Sequence, residues 1–598
     1  IAMNYNVDAV AAGSKPATVG NTRGKVIMSD RIFAGLETPT AYNTVGTETD
    51  EADNWNLVST PVTETLSADA WTLLETADVP FRVTEVGGAD KSYYIVNRNV
   101  TLKKSQKVVV TLTYRSGNKR FDLDGVDLLD RNASVVANDY HHGFTGTSKE
   151  NNTFSFFAPN DGDFTVRVFC DNREGDIVST AEIKVEIYEA KAGVDISDDV
   201  VNIQGRWSRN TTLAAGQTWK VAAVVGLIAQ DGRQGEASIR KTQKRRSFLA
   251  YSERERAVPW RAFPCYISWY ELNINRNNAA PGSESSNMVA DQVLDVLAQW
   301  KANMFDKFGV GPASFVIDDG WDNYGTWTFH SGFPNEMRDI AYEAARMNAG
   351  CGAWLGPVGG YGQSGNYRRA YWNSNNRGGM QLSNPAYYQV FLDAAENLVR
   401  NQNRDGQGQF NFFKFDGISA QFSSVGPDDG DTGNENAEGI IRLEQYVREN
   451  LKEDIFFNTT VGTWASPFWY QVTDATWRQE NDHGRIGNNS VNRENWITYR
   501  DNLVHQNYIT NSPICPINTL MTHGFILTKF GPPADDSRDY QHVLNELRCA
   551  FACGSGMVEL YNDYDLMNSI NGGQLWSDLA ECIQWQKNNA DVLMDTHW

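Results

Sequence analysis

The sequence predicts a multidomain β plus α/β protein, with an N-terminal β-sandwich region followed by a (β/α)8 TIM barrel. Three observations predict it. Up to about residue 260, short runs rich in Val, Thr, Tyr and Phe are bounded by Gly, Asn and Asp, the pattern of antiparallel strands. From about residue 263 to the end, apolar strands alternate with helical stretches, which predicts a parallel sheet with helical crossovers. No GxGxxG or GxxxxGK[ST] follows any strand. The usual nucleotide-binding reasons for an open sheet are therefore absent, and at this length a closed barrel is favoured.

The elements follow in order. Residues 1–69 and 191–262 are expected to form one N-terminal β domain, interrupted by an inserted β-sandwich over residues 70–190. Within the insertion, strands are expected at 107–114, 153–157, 164–170 and 181–188. Arg115-Ser-Gly-Asn and Pro159-Asn-Asp-Gly supply turns between them. The barrel is expected over residues 263–598. Its strands include Phe315-Val-Ile, Ala353-Trp-Leu, Phe412-Phe-Lys-Phe and Ile455-Phe-Phe, with helices at 288–308, 336–347, 386–401, 439–451, 537–552 and 575–593.

Composition narrows the partners. The 598 residues carry 53 Lys+Arg and 74 Asp+Glu, a net charge of −21. So acidic a chain has no electrostatic reason to seek nucleic acid or an anionic membrane. The longest apolar stretch, around 221–229, is far short of the roughly 20 residues of a membrane-spanning helix. The sequence opens at Ile1 with no charged segment and apolar run before it. A secretion signal is expected to have been removed, giving a secreted, periplasmic or cell-surface protein. Seven scattered cysteines without CxxC spacing or a Cys/His cluster argue against a disulfide framework and a structural zinc site. Eighteen Trp, 24 Tyr and 28 Phe suit a carbohydrate site as well as an aromatic core.

In a (β/α)8 barrel, chemistry collects where strands end and βα loops begin. Five strand ends carry polar or aromatic residues that a barrel core does not need. Ile267-Ser-Trp-Tyr-Glu places Trp269 and Glu271 at the opening strand. Ser314-Phe-Val-Ile-Asp-Asp-Gly-Trp-Asp sets Asp318 and Asp319 directly after an apolar strand, with Gly320 permitting a tight turn. Adjacent carboxylates repel and cost desolvation energy when buried, so a fold keeps them for hydroxyl binding, metal binding or proton transfer. Gly352-Ala-Trp-Leu-Gly-Pro brings Trp354 near a strand end. In Asn411-Phe-Phe-Lys-Phe-Asp-Gly, Lys414 and Asp416 lie two apart and share a strand face, the lumen in a barrel. The lysine charge favours an ionised aspartate, as a nucleophile requires. Val472-Thr-Asp-Ala-Thr-Trp-Arg-Gln-Glu-Asn-Asp-His offers Asp474, Glu480 and Asp482 as proton donors, and spacing alone does not choose among them. Two carboxylates on different strand ends are the minimum equipment of a retaining glycosidase.

These residues, in this order, resemble glycoside hydrolase clan D, the α-galactosidase and α-N-acetylgalactosaminidase families, over roughly residues 263–598. Asp318-Asp319-Gly320-Trp321 is similar to the family's Asp-Asp-Gly-Trp after the second barrel strand, whose carboxylates bind O4 and O6 of galactose. Lys414-Phe-Asp416-Gly is similar to the Lys-x-Asp nucleophile motif, which implies a nucleophile role for Asp416 and a hydroxyl contact for Lys414. Trp477-Arg478-x-x-x-Asp482 resembles the pattern that selects Asp482 as acid/base and Arg478 as its neighbour near O2. Trp269 and Trp354 correspond to aromatic positions lining the sugar subsite, and Asn562-Asp563 to the Asn-Asp ending the last strand. Around Phe33-Ala-Gly-Leu-Glu, the preceding β region resembles the N-terminal β-supersandwich of longer members.

The resemblance implies an exo-acting retaining hydrolase of terminal α-galactosides in oligosaccharides or glycoconjugates, without cofactor or metal. Phe457-Asn-Thr-Thr-Val-Gly-Thr-Trp departs from the signature that sets the space around the C2 substituent. Small residues there (Thr459, Thr460, Gly462) leave α-N-acetylgalactosaminidase as the alternative, and a non-catalytic glycan-binding relative is the alternative of another class. The inserted sandwich is a further departure, as is the lack of the family's usual C-terminal β domain, taken to be absent or cut off. The acidic segment Pro427-Asp-Asp-Gly-Asp-Thr-Gly-Asn-Glu-Asn is read as a solvated loop rather than a calcium site.

Overall fold

The computed structural model describes residues 24–28, 32–46, 55–58, 61–66, 72–74, 92–116, 124–141, 151–172, 180–191, 202–207, 215–216, 218 and 220–228. From residue 237 it describes everything but 274–277, 375–376, 419–429, 511–513, 530–537 and 596–598. The chain folds as two compact units, residues 45–204 and residues 1–44 with 205–598.

In the unit of residues 45–204, the described strands make two five-stranded antiparallel sheets. One is led by Ser92–Leu102, paired along its length with Gly162–Asn172. The other is led by Lys107–Ser116, flanked by Asn151–Phe157 and Thr180–Ala190. Alternate residues turn inward, as the two-residue period of a strand requires. Val108, Val110 and Leu112 of one sheet and Val126, Leu128, Val166 and Val168 of the other lie fully buried in one apolar cluster. Trp55–Leu57 and Val62–Leu66, which the sequence reading assigns to the outer segment 1–69, pair with Thr180–Ala190. Strands this short and polar carry no core of their own, so their partner is set by register rather than by propensity.

The larger unit opens with a three-stranded antiparallel sheet of Ile27–Met28, Ile32–Leu36 and Ala223–Leu227. Helix α1 (Ala237–Arg254) follows, correcting the expectation of β structure up to residue 260. Basic and polar residues dominate its sequence, and among its described side chains Lys244 and Ser252 are buried along with the apolar rings of Phe248 and Tyr251, three apart. Those two rings pack with Val26, Met28 and Phe33.

Nine parallel strands then form the second sheet of this unit. They are β1 (Phe263–Ile267), β2 (Ser314–Ile317), β3 (Gly350–Leu355), β4 (Phe410–Phe415), β5 (Phe456–Thr459), β6 (Ala475–Trp477), β7 (Leu520–Met521), β8 (Phe525–Leu527) and β9 (Met557–Asn562). The spatial order is β7-β6-β5-β4-β3-β2-β1-β9-β8. β7 and β8 are two halves of one position, broken at Thr522-His523-Gly524. The first half pairs with β6 and the second with β9, so nine strands fill eight barrel positions. His523 (φ 67) and Gly524 (φ 23) take left-handed conformations at the break. A Cβ at Gly524 would collide with the Glu559 carbonyl oxygen.

The crossovers are α2 (Ala290–Trp300), α3 (Arg338–Ala345), α5 (Pro385–Asn401), α6 (Gly430–Asn450), α7 (Asn492–Val504) and α8 (Tyr540–Ala552), with α10 (Gln574–Asn588) after β9. A further helix, α4 (Gly362–Asn373), sits in the β3–α5 connection, and α9 (Tyr564–Ser569) follows β9. From Gly430 on, the acidic segment read as a loop is the start of α6. Residues 427–429 lie outside the described residues. Among the described residues no group of acidic, His or Cys side chains is arranged to hold a metal ion, and no helix is long and apolar enough to cross a membrane.

Between β5 and β6 the described connection has only a 3-10 turn, Pro467–Gln471. Phe468 from that turn joins Val26, Met28, Phe33, Phe248 and Tyr251 in one cluster. The N-terminal strands and α1 thus cover the flank that a crossover helix covers elsewhere. Inside the barrel, Phe263, Phe412 and Phe456 stack with centroids 4.2–5.6 Å apart. Phe413 and Phe415 point the other way, into the helix-facing core.

Candidate active site

The alternation on β4 decides where the chemistry stands. Phe412 faces the lumen and Phe413 and Phe415 face the helices. Lys414 therefore faces the lumen, and Asp416 follows at the C-terminal end of the strand. Asp416 is held by three donors from neighbouring strand ends. Trp354 Nε1 donates to Oδ2 (3.0 Å), while Tyr361 Oη and Thr460 Oγ1 donate to Oδ1 (2.9 and 3.2 Å). Both oxygens are thereby fixed in direction.

Lys414 Nζ donates to Asp318 Oδ2 (2.8 Å) rather than to Asp416. Burial works against its ammonium, but the charges of Asp318 and Asp416 more than offset this and hold its pKa above the ordinary lysine range. Burial pushes the Asp318 carboxyl up, only partly offset by Lys414. The Asp318 main chain is fixed through Ser268 Oγ, which accepts its N–H (2.9 Å) and donates to Asn273 Oδ1 (2.7 Å).

Asp482 stands five residues beyond β6, on a loop with Gln479 (φ 76) and Glu480 (φ 65) in the left-handed region. Arg478 holds that strained turn. Its guanidinium donates to the carbonyls of Thr522 (3.2 Å), Gln479 (2.9 Å), Asn481 (2.9 Å) and Asp482 (2.8 Å) and lies over the Trp477 ring. Burial lowers the pKa of Arg478 to about 10. Asp482 is an exposed residue, though neighbouring groups exclude part of the water from its carboxyl. Its carboxyl is pushed up first by desolvation and next by the charge of Asp416, with Lys414, Arg478 and His483 pulling the other way. Asp318, Lys414, Asp416 and Asp482 therefore share one electrostatic site.

The other predicted site residues are engaged differently. Asp319 is paired with the buried Arg368 of α4, whose Nε also donates to Asp322 Oδ2 (2.9 Å). Gly320 turns the chain there with φ 124. Trp321 is fully buried, and its indole N–H donates to the Trp354 carbonyl (2.9 Å). Trp269 and Glu271 lie beyond β1 in a helical turn, Trp269–Asn273. Trp269 is half-buried, and the Glu271 carboxylate accepts from Tyr266 Oη and the Tyr564 N–H. Asp563 caps α9, accepting from the N–H groups of Asp565 (2.9 Å) and Leu566 (3.1 Å), with Lys529 3.3 Å away. Of the alternative proton donors, Asp474 precedes β6, at the end of the barrel away from the mouth, paired with Arg448 (2.7 Å). Glu480 is exposed. Thr459 bonds Glu444 of α6 and so faces the helix layer.

Sequence reasoning missed Tyr361, Thr460 as a ligand of Asp416, and Arg368. A signal existed for the first: Gly356-Pro-Val-Gly-Gly-Tyr-Gly after β3 is a glycine-rich loop, with Gly359 and Gly360 at φ 99 and 77. It carries Tyr361 back over the strand end.

No protein-family model matches the chain, and no curated protein matches it. Among solved structures, it is similar to an α-galactosidase of glycoside hydrolase family 36 from Geobacillus stearothermophilus, solved in complex with raffinose. Identity is 11%, 95% of this chain and 77% of that one are covered, and the TM-score is 0.41. It is also similar to an α-galactosidase from Lactobacillus brevis (10% identity, 97% and 76% covered, TM-score 0.40). A third is the family 31 α-xylosidase from Xanthomonas citri (8% identity, 97% and 62% covered, TM-score 0.36).

Proposed function

We propose that the protein is a retaining, exo-acting glycoside hydrolase that removes terminal α-linked galactose from oligosaccharides or glycoconjugates. The observation that carries this reading is the pair of carboxyl groups at the barrel mouth: Asp416, oriented by three donors, and Asp482, its pKa raised by partial desolvation of the carboxyl and by the charge of Asp416. A retaining mechanism needs this asymmetry, with one carboxylate to attack and one carboxylic acid to protonate.

The sugar would lie in the mouth with hydroxyls toward Asp318 and Lys414. Asp416 attacks C1 as Asp482 gives its proton to the leaving oxygen, which departs as the alcohol. A covalent glycosyl-enzyme results. Asp482, now a carboxylate, takes a proton from water as that water attacks C1 and releases Asp416, so the configuration is retained. The two carboxyl groups of such a pair stand about 5–5.5 Å apart.

Asp416→Asn should remove nearly all turnover of an aryl α-galactoside, and azide should partly restore Asp416→Gly. Full activity in Asp416→Asn would refute the assignment. A panel of terminal α-linked sugars followed by proton NMR reports sugar identity and anomeric outcome together. Turnover of the α-N-acetylgalactosaminide in preference to the α-galactoside would move the specificity to the alternative. Binding without turnover across the panel would favour a glycan-binding protein.

A further inference from the structure

The barrel lumen holds a carboxyl group that the proposed reaction does not use. Glu559, on β9, is fully buried between the lumen-facing Met557 and Tyr561 and level with Cys265 of β1. A buried carboxylate without a close cation is costly, so the fold must draw something from it. Its Oε1 accepts the N–H of His523 (3.1 Å), and its Oε2 has no partner. His523 is the left-handed residue at the break between β7 and β8, where backbone N–H groups have left the ladder. On its other side, His523 Nε2 and Tyr270 Oη share a hydrogen bond (2.8 Å).

The residue before His523 connects this anchor to the site. The Thr522 carbonyl accepts from Arg478 Nε (3.2 Å). The same guanidinium, through Nη2, holds the carbonyls of Asn481 and Asp482 (2.9 and 2.8 Å). Glu559, His523, Thr522 and Arg478 are all buried, and hydrogen bonds join them on either side of the Thr522–His523 peptide. The Asp482 loop hangs on Arg478, Arg478 on the broken strand, and the broken strand on Glu559. Gln479 and Glu480 lie in a disfavoured backbone region. Besides Arg478, the turn is held by Trp477 Nε1, which donates to the Glu480 carbonyl (3.0 Å), while the carbonyls of Asn481 and Asp482 rest on Arg478.

We infer that Glu559 is a positioning residue, one that sets the Asp482 carboxyl at the barrel mouth through His523, Thr522 and Arg478. The inference rests on the proposed acid/base role of Asp482. Leucine at position 559 would fill the lumen but leave the His523 N–H without an acceptor. Aspartate would keep the charge but withdraw the acceptor by one methylene. Glutamine would keep an acceptor oxygen within reach.

The test compares aryl α-galactosides with good and poor leaving groups, in the full chain, for Asp482→Asn, Glu559→Leu, Glu559→Asp and Glu559→Gln. A displaced proton donor harms the poor leaving group selectively. Glu559→Leu and Glu559→Asp should each lower kcat/KM about 10- to 100-fold on the poor leaving group and far less on the good one. Glu559→Gln should restore most of the loss. Equal losses on both substrates, or no loss, would overturn the inference while Asp482→Asn keeps its selective profile. If Glu559→Leu does not fold, Glu559→Asp decides alone. If Asp482→Asn shows no leaving-group selectivity, the acid/base assignment fails first, and the positioning role falls with it.

Discussion

Three side chains converge on Asp416, Trp354 and Tyr361 from the end of β3 and Thr460 from the end of β5, and together they hold both of its oxygens. Its partner Asp482 differs. Partial desolvation of its carboxyl and the charge of Asp416 favour its protonated form, so the acid is available at pH values above the usual carboxyl range. Activity on a poor leaving group should therefore fall as pH rises through this elevated pKa. With a good leaving group, Asp482→Asn should flatten that alkaline limb in a kcat/KM profile. Asp563 offers a contrast. As the cap of α9 it satisfies two N–H groups, so Asp563→Ala should cost about 1 kcal/mol in a denaturant titration. Its KM for an aryl galactoside should stay unchanged; a raised KM would give Asp563 a ligand contact instead. At this scale the sequence was legible where period decided the outcome. Phe412, Phe413, Lys414 and Phe415 alternate, and that alone sends Lys414 and Asp416 to the lumen side. The Arg368–Asp319 pair was not legible, because it joins residues 49 apart in the chain and no local pattern announces it.

Elements with a clean apolar stripe agree with the sequence reading. Helices at 386–401 and 537–552 match α5 and α8 within a few residues. The reading overlooks α7 because its buried face is built from Arg493 and Arg500 alongside Trp496 and Leu503. Arg493 is paired inside the fold with Glu546 of α8, and Arg500 Nη1 donates to the Gly524 carbonyl (3.1 Å). Charged residues at helical spacing read as a solvated face until their partners are known. The broken position β7/β8 was equally hidden, since Leu-Met-Thr-His-Gly-Phe-Ile-Leu scans as one strand. Gly524 makes the break possible. Gly524→Ala brings a Cβ against the Glu559 carbonyl and should destabilise the protein by about 1–3 kcal/mol. A thermal melt indistinguishable from the parent would show that the break tolerates a side chain.

For the whole molecule, the buried glutamates set the response to pH. Desolvation lifts Glu271 and Glu444 to about 8 and Glu559 to about 7, against an ordinary value of 4.5. Between 4.5 and these values the folded protein binds more protons than the unfolded chain, so stability falls as pH rises across that window. Their contribution is complete below 4.5 and lost through pH 7–8. The net charge of −21 adds self-repulsion in the same direction. Tm should therefore be higher at pH 5.5 than at pH 8, and the reverse order in calorimetry would contradict this. Finally, the flank between β5 and β6 has a bearing on how the polypeptide can be cut. Phe468 meets Val26, Met28 and Phe33, more than 430 positions upstream, so a recombinant fragment starting at the first barrel strand would present a bare aromatic patch to solvent. Such a fragment should aggregate on expression, and co-producing residues 1–262 as a separate polypeptide should recover soluble material.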